Sequence, residues 1–516
     1  MKTSRGARPM LPRTLLMRVW VLGLASACSG EVERPNPVAS GPLARAFESG
    51  GVAHQSSPRV GYGGLKLRMA GERSYALEIT RDTAAVETRR FVAYAAQGQV
   101  LWQFTEQPQE LLMDFTVHPS GEVSLSVEHT DEVRDTFELV RLSVDGAVLA
   151  RQRLPAPETL PPGDLGLLPA SPFLMKAVPA GSHVGKWLPW VRLEARGEEL
   201  AVAFLSYVDR GDESGTQALA SGVMALQWSG GRYTEQWARV VDGLHSLIQV
   251  AWQYDEFHWL DAATQPLLAV SPEGRVIVGR ALSQGRCTAL SQTFQELSST
   301  ECRILGMRNS PHRYQPFAFT SFSPEGAREG THVLAPEGLE EFVVFDMALR
   351  GEEVAVAGTA VRFQEDGTVK YYAASPSAEP IMLPYDGYVA VLDRATGALR
   401  SEVYVDEGRA EYFAALRWTE EGLLAAGAAD WDRWNGGMSV SRGAGPLLAF
   451  IPGDGGAVRT RSVGLGGGAR HFHLLTVDTW DGAVVALGVS EAPMTHSGDS
   501  AGAEQMTFGG LRVGLR

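Results

Sequence analysis

A recurring hairpin constrains this chain more than any other feature. An apolar stretch, a turn carrying Gly and a second apolar stretch come back as "LLMDFTVHPSGEVSLSVEH" (111–129), "WVRLEARGEELAVAFLS" (190–206), "QPLLAVSPEGRVIVGRA" (265–281), "EFVVFDMALRGEEVAVAGTA" (341–360), "EYFAALRWTEEGLLAAGAA" (411–429) and "HFHLLTVDTWDGAVVALGVS" (471–490). A weaker member, "LKLRMAGERSYALEIT" (65–80), precedes them. Short runs that alternate or are wholly apolar read as buried strands, and Gly in the turn accepts the positive φ of a tight hairpin. The second strands end near Glu78, Glu128, Phe204, Gly279, Gly358, Gly427 and Gly488, at intervals of 50 to 79 residues.

A third and fourth strand follow most hairpins, as in "RRFVAYAAQGQVLWQF" (89–104), "TFELVRLSVDGAVLARQRL" (136–154) and "DGYVAVLDRATGALRSEVYV" (386–405). Two hairpins per repeat make a four-stranded antiparallel sheet, the unit of a β-propeller. Paired β-sandwiches and an open solenoid are the competing architectures, but solenoid coils are much shorter than these repeats. The fold expected is all-β, a propeller over 60–516 of seven four-stranded blades, with six or eight as alternatives. Between 282 and 340 the outer hairpin of the fourth blade has no clear place. After Gly488 only "TFGGLRVGLR" (507–516) remains, so the seventh blade lacks a strand, and "VGYGGLKLRM" (60–69) is expected to complete it by pairing the two chain ends. "GYVAVLDRATGALRSEV" resembles the strand–turn–strand of quinoprotein-type repeats, and the "VAVAGTA" endings resemble repeat propellers of bacterial cell-surface proteins.

The chain opens with five basic residues (Lys2, Arg5, Arg8, Arg13, Arg18), no acid, and a short apolar run from Val19 to Ala27. That is the layout of a secretory signal peptide over 1–27, too short to span a bilayer. "ASAC" (25–28) resembles the bacterial lipobox, with Ala25 where that family usually has Leu. The resemblance implies acylation of Cys28, and Ser29 after it implies the outer membrane, on its periplasmic or its outer side. Residues 28–59, rich in Gly, Pro, Ser and charge, read as a flexible tether.

Two further cysteines, Cys287 and Cys302, are expected to form a local disulfide in an oxidising compartment. Free thiols and a metal site are the alternatives, and a metal would need more ligands. The net charge is −14; without the five leading cations, 41 bases stand against 60 acids. Such acidity argues against a nucleic-acid partner.

HExxH, CxxC and P-loop motifs are missing. "GLGGGA" (464–469) fits a dinucleotide-type spacing but lies between strands, so it reads as a connection. His471 and His473 share a strand face, without an evident third ligand. "DWDRWNGG" (430–437) is the most suggestive loop: Asp430, Asp432 and Asn435 offer oxygens, although Trp434 stands where an EF-hand would place its next ligand. Trp431 and Trp434 suit stacking on a sugar or peptide, or packing on their own blade. "YDEFHWLD" (254–261) gathers acids, His258 and aromatics at another connection. "SVDG" (143–146) is similar to the Asp-box turn of sialidase propellers but lacks its spacing and aromatic, and reads as a hairpin turn.

These features lead to a lipid-anchored, monomeric envelope propeller that binds a protein or glycan and carries no cofactor. Resemblance to a lipoprotein propeller family extends that reading to a scaffold in outer-membrane protein assembly. An extracytoplasmic polysaccharide hydrolase or lyase with its site at the channel mouth is the alternative, and a quinone-dependent dehydrogenase a more distant one.

Overall fold

A computed structural model of the chain describes Leu43, Ala46, Phe47 and residues 52–57, 61–81, 87–95, 98–129, 137–154, 191–209, 217–241, 245–246, 266–281, 317–362, 385–408, 410–429, 445–462, 471–480, 483–492 and 507–515. Apart from the helical residues Leu43, Ala46 and Phe47, the regular structure there is all strand. The protein is an all-β propeller with four-stranded antiparallel blades.

Six sheets are built from consecutive strands. Blade 1 comprises Gly61–Ala70, Arg73–Arg81, Glu87–Ala95 and Val100–Thr105. Blade 2 comprises Glu110–Val117, Val123–His129, Phe137–Leu142 and Val148–Arg153. Blade 3 comprises Val191–Arg196, Glu199–Asp209, Gln217–Ser229 and Arg232–Val240, with His245–Ser246 also paired to its third strand. Blade 4 comprises Leu267–Val270, Val276–Ala281, Phe317–Phe322 and Arg328–Leu334. Blade 5 comprises Leu339–Arg350, Glu353–Arg362, Asp386–Asp393 and Leu399–Val405. Blade 6 comprises Glu411–Trp418, Gly422–Ala429, Gly445–Pro452 and Arg459–Ser462. A further sheet combines His471–Trp480, Ala483–Ala492 and Thr507–Leu515 with Val52–Ser57 from the other end of the chain.

The strand that completes this composite sheet is not 60–69. Val52 pairs with Leu515 and Ser57 with Gly510, while Gly61–Ala70 is the first strand of blade 1, paired with Arg73–Arg81. The expected tether is also too long at its C-terminal end. Leu43, Ala46 and Phe47 are buried against Leu424, Leu448, Phe450 and Leu474. Their spacing of i, i+3 and i+4 puts three apolar side chains on one face of a helical turn, a signal submerged in the surrounding Gly, Pro and Ser. The outer hairpin of blade 4 is also in place: Phe317–Phe322 and Arg328–Leu334 lie on either side of the turn at 323–327.

The first strand of each blade, called inner below, explains the recurring Gly. In five of them the register slips by one residue: between Gly64 and Lys66, Leu112 and Asp114, Val344 and Asp346, Phe413 and Ala415, and Leu474 and Thr476. A bulge bends its strand and re-aims the next side chain. Gly358, Gly427 and Gly488 pair with Val344, Phe413 and Leu474 at the slip. A Cβ on Gly427 would lie 1.9 Å from Tyr412 O, and one on Gly358 1.9 Å from Val343 O. The bulged strand comes too close for any side chain, so these apolar strands keep Gly in the middle.

Apolar clusters join neighbouring sheets. Tyr75, Phe91, Phe115 and Leu125 lie between blades 1 and 2. Phe319, Phe342, Val356 and Tyr388 lie between blades 4 and 5. Leu67 and Ala76 of blade 1 meet Val485 and Leu487 of the composite sheet.

Candidate functional site

Each inner strand has one edge without a ladder partner in its own sheet, so its N–H groups need other acceptors. The bulges supply them. The Asp114 carboxylate of blade 2 accepts from Leu193 N of blade 3 at 2.7 Å, and Thr116 Oγ1 accepts from Ala195 N at 3.1 Å. Asp346 of blade 5 accepts from Leu416 N of blade 6 at 2.7 Å. On the composite sheet, Thr476 Oγ1 accepts from Leu67 N at 3.0 Å and Asp478 from Met69 N at 2.8 Å. Each polar side chain stitches its own inner strand to the next.

Cations complete this belt. Lys66 Nζ lies 2.8 Å from the fully buried Asp114, Arg68 lies 2.9 Å from Glu194, and Arg417 lies 3.3 Å from Asp478. Burial pulls the Lys66 ammonium below its ordinary value, with Asp114 opposing. For Arg68 burial acts the same way, but Glu194 and Asp478 outweigh it and raise the guanidinium further. Burial would raise the Glu194 carboxyl, yet Arg68 and Lys66 hold it low. Asp346 is the exception: its burial dominates and raises it, although Arg192 and the N–H of Leu416 pull the other way. Lys66, Arg68, Arg192 and Arg417 thus face Asp114, Glu194, Asp346 and Asp478, four charges of each sign. Buried pairs of this kind bring directional specificity more than net stability. The described acids of the belt are committed to backbone N–H groups or cations, so the arrangement organises inner strands rather than presenting a free pair of carboxylates for acid–base chemistry. Blade 4 contributes no charge: its inner strand is "LLAV", with Leu267 and Ala269 packed toward blade 5.

Two clusters nearer the strand ends have the composition of a metal site. Glu110, His129 and Glu138 gather on blade 2, and Asp386, Asp406 and Glu411 on blades 5 and 6. Both already hold a guanidinium. Arg151 Nη1 lies 2.7 Å from Glu110 and 3.0 Å from Glu138. Arg362 lies 2.5 Å from Asp386 and 3.7 Å from Asp406. A guanidinium thus already pairs with two of the three groups in each cluster.

The sequence-predicted sites fall elsewhere. Cys28, Cys287, Cys302 and Asp430, Trp431, Asp432, Trp434 and Asn435 lie outside the described residues, as do 254–261 and 464–469. His471 and His473 start the inner strand of the composite sheet, opposite Glu491 and Val489. "SVDG" is a hairpin turn: Gly146 N donates to Ser143 O at 2.9 Å, and Ser143 N to Ala147 O at 2.8 Å. Gly146 has φ +83°, and a Cβ there would meet the Trp102 ring of blade 1 at 2.6 Å. Sequence reading missed the belt. Its signal is a lone polar residue in an otherwise apolar inner strand, as in "LLMDFTV" and "VVFDMAL".

The connections between strands divide sharply. In an antiparallel blade the first-to-second and third-to-fourth turns lie at one rim, and all other connections lie at the opposite rim. At the first rim the connections are short, the longest spanning 453–458. From the opposite rim leave 154–190, 241–266, 282–316, 363–385, 430–444 and 493–506.

No family model matches the chain, and no curated protein does. Solved structures do match. The β-propeller domain of the Trilobed protease from Pyrococcus furiosus is 7% identical, with 84% of this chain and 92% of that one covered and a TM-score of 0.39. An acylaminoacyl peptidase is 8% identical, with 87% of this chain and 52% of that one covered and a TM-score of 0.40. Levansucrase from Bacillus subtilis is 10% identical, with 69% and 87% covered and a TM-score of 0.26. Likeness at this level concerns architecture alone and transfers no activity.

Proposed function

We propose that this chain is a lipid-anchored envelope propeller that binds a protein or a glycan at the rim carrying its long connections. In this reading the seven sheets close into one ring, with the composite sheet joining the two chain ends. Cys28 is the acylated residue, the outer membrane the location, and Cys287–Cys302 a local disulfide within the connection at 282–316.

The observation that carries the reading is the asymmetry of the rims. Loops set on a rigid scaffold are where binding residues concentrate, and here the long connections all leave from one side. The segment 430–435, with its two tryptophans and three oxygen-bearing side chains, follows Ala429 in one of them. A belt of committed charges supports a rigid scaffold rather than a reaction centre.

The test is a pull-down from detergent-solubilised envelopes with the acylated protein as bait, beside a Trp431→Ala/Trp434→Ala variant. An envelope protein or glycan retained by the first, and retained at least tenfold less by the variant, is the expected result. An empty eluate together with cleavage of an envelope polysaccharide would replace the binding role by a hydrolase or lyase.

A further inference from the structure

The rim of short turns carries a surface that its position makes informative. Six large apolar side chains are exposed among the described residues: Val100, Leu101, Val144, Val148, Leu149 and Leu399. All lie at this rim. Val100 and Leu101 open the outer strand of blade 1, Val148 and Leu149 that of blade 2, and Leu399 that of blade 5. Val144 is in the turn before Val148, and its carbonyl accepts from Trp102 Nε1 of blade 1 at 3.0 Å, which joins the blade 1 and blade 2 groups into one patch.

The N-terminal side of the domain reaches the same rim. Leu43 N donates to Glu421 Oε1 at 3.1 Å, and Glu421 lies in the turn between the first two strands of blade 6. From there the chain passes Phe47, whose carbonyl accepts from Arg461 at 2.6 Å, and runs as Val52–Ser57 toward the opposite rim. The described chain therefore enters the propeller at Leu43, on the rim of short turns.

Several cations of this rim are paired. Arg196 lies 2.7 Å from Glu199, Arg275 lies 3.1 Å from Glu329, and Arg394 lies 2.6 Å from Glu352. An anionic partner would find few free charges, so apolar contact is the attraction this rim offers. Apolar positions on blades 1, 2 and 5 also suit a flat surface touching several blades better than a partner gripping one edge.

We infer that the rim of short turns rests on the lipid bilayer through the patch Val100, Leu101, Val144, Val148 and Leu149, turning the rim of long connections away from the membrane. This rests on the acylation of Cys28 proposed above and adds an orientation to it. Side chains of Val and Leu at a lipid interface leave water for hydrocarbon, the usual driving force for peripheral contact.

The experiment uses the full acylated chain on phosphatidylcholine vesicles carrying nitroxide headgroups, with Cys287 and Cys302 replaced by Ser. A fluorophore is attached either at Asp145→Cys, whose native side chain is 83% exposed beside the patch, or at Gln107→Cys on the opposite rim. The expected result is strong quenching at 145 and little at 107. Replacing Val100, Leu101, Val148 and Leu149 with Ser reduces the quenching at 145 at least threefold, while the protein still floats with the vesicles. Equal quenching at both sites, or quenching at 145 that the four Ser substitutions leave intact, overturns the proposal alone. Failure to float, with no acyl mass on the N-terminal peptide, removes the anchor and the proposal with it. Quenching at 145 that persists in 1 M salt agrees with apolar contact, and its loss in salt contradicts it.

Discussion

Between blades 2 and 3 the joint is made by a fully buried guanidinium, and between blade 6 and the composite sheet by an aromatic ring. Arg141 Nε donates to Glu122 at 2.8 Å, Nη2 to Glu198 at 2.9 Å and Nη1 to His118 Nε2 at 2.6 Å, and the guanidinium stacks on Trp228 at 5.3 Å. At the other joint Phe47 packs on Phe450, ring centroids 5.8 Å apart, among Leu424, Leu448 and Leu474. The first joint is directional: four partners fix one geometry, at the cost of desolvating a charge. The second joint is held by area and shape, and its wedge comes from a segment far away in sequence. A repeat fold can thus close its gaps with different chemistry at each joint, provided the inner strands keep a common register.

Breaking the polar joint should have the larger effect. Arg141→Met removes the cation while leaving the Glu122 and Glu198 carboxylates and the His118 ring without it. Unpairing a fully buried charge costs roughly 3–5 kcal/mol, and because the Glu122 and Glu198 side chains stay 29% and 44% exposed the loss falls in the lower part of that range, about 3.5 kcal/mol. Reversible urea unfolding should show that loss, and Glu122→Gln and Glu198→Gln added to Arg141→Met should recover part of it. A loss under 1 kcal/mol would mean that packing on Trp228, rather than charge, holds the joint.

The same contrast shows what sequence can reveal. Alternating hairpins such as 111–129 and 411–429 are legible because burial on both faces dictates composition residue by residue. The outer hairpin of blade 4 was hidden by the insertion at 282–316, although "FTSFSPEGAREGTHVL" has the alternation and the Gly turn. The wedge at Leu43–Phe47 was hidden because one helical turn carries too few residues for a periodicity. The belt was hidden for another reason. Lys66, Asp114 and Thr476 hold equivalent places after their bulges but differ in chemistry, so no motif links them, and only the common register does. The candidate binding residues 430–435 were chosen by composition, and their placement lies outside the described residues.

At the apolar joint, Phe47→Ala removes a ring that is 3% exposed. Buried Phe→Ala changes cost roughly 3–5 kcal/mol, and the lower end, about 3 kcal/mol, is expected where a terminal segment can open locally. Limited proteolysis should then cut near residue 50 well before global unfolding, whereas Arg141→Met should lower the global transition with no new early cut. Early cutting in both variants would erase the distinction between the joints.

The smallest effect separates the joints by pH. His118 Nδ1 donates to Gly197 O at 2.8 Å and Nε2 accepts from Ser124 Oγ at 2.7 Å, and burial first, then the Arg141 charge, pushes the ring down to about 4. An unfolded histidine titrates near 6.5. Between these values the unfolded chain binds the extra proton, so the stability that neutral His118 contributes is complete above about pH 6.5 and is lost as pH falls toward 4. By pH 5 the loss is about 2 kcal/mol. Carboxylates titrating in the same range are common to both proteins when the wild type is compared with His118→Gln, whose amide can keep a bond to Gly197 O. The stability difference between them should therefore shift in favour of the variant by about that amount between pH 7 and pH 5, whereas the corresponding difference for Phe47→Ala should stay flat. A flat His118 difference would place the proton elsewhere and leave the polar joint insensitive to acid.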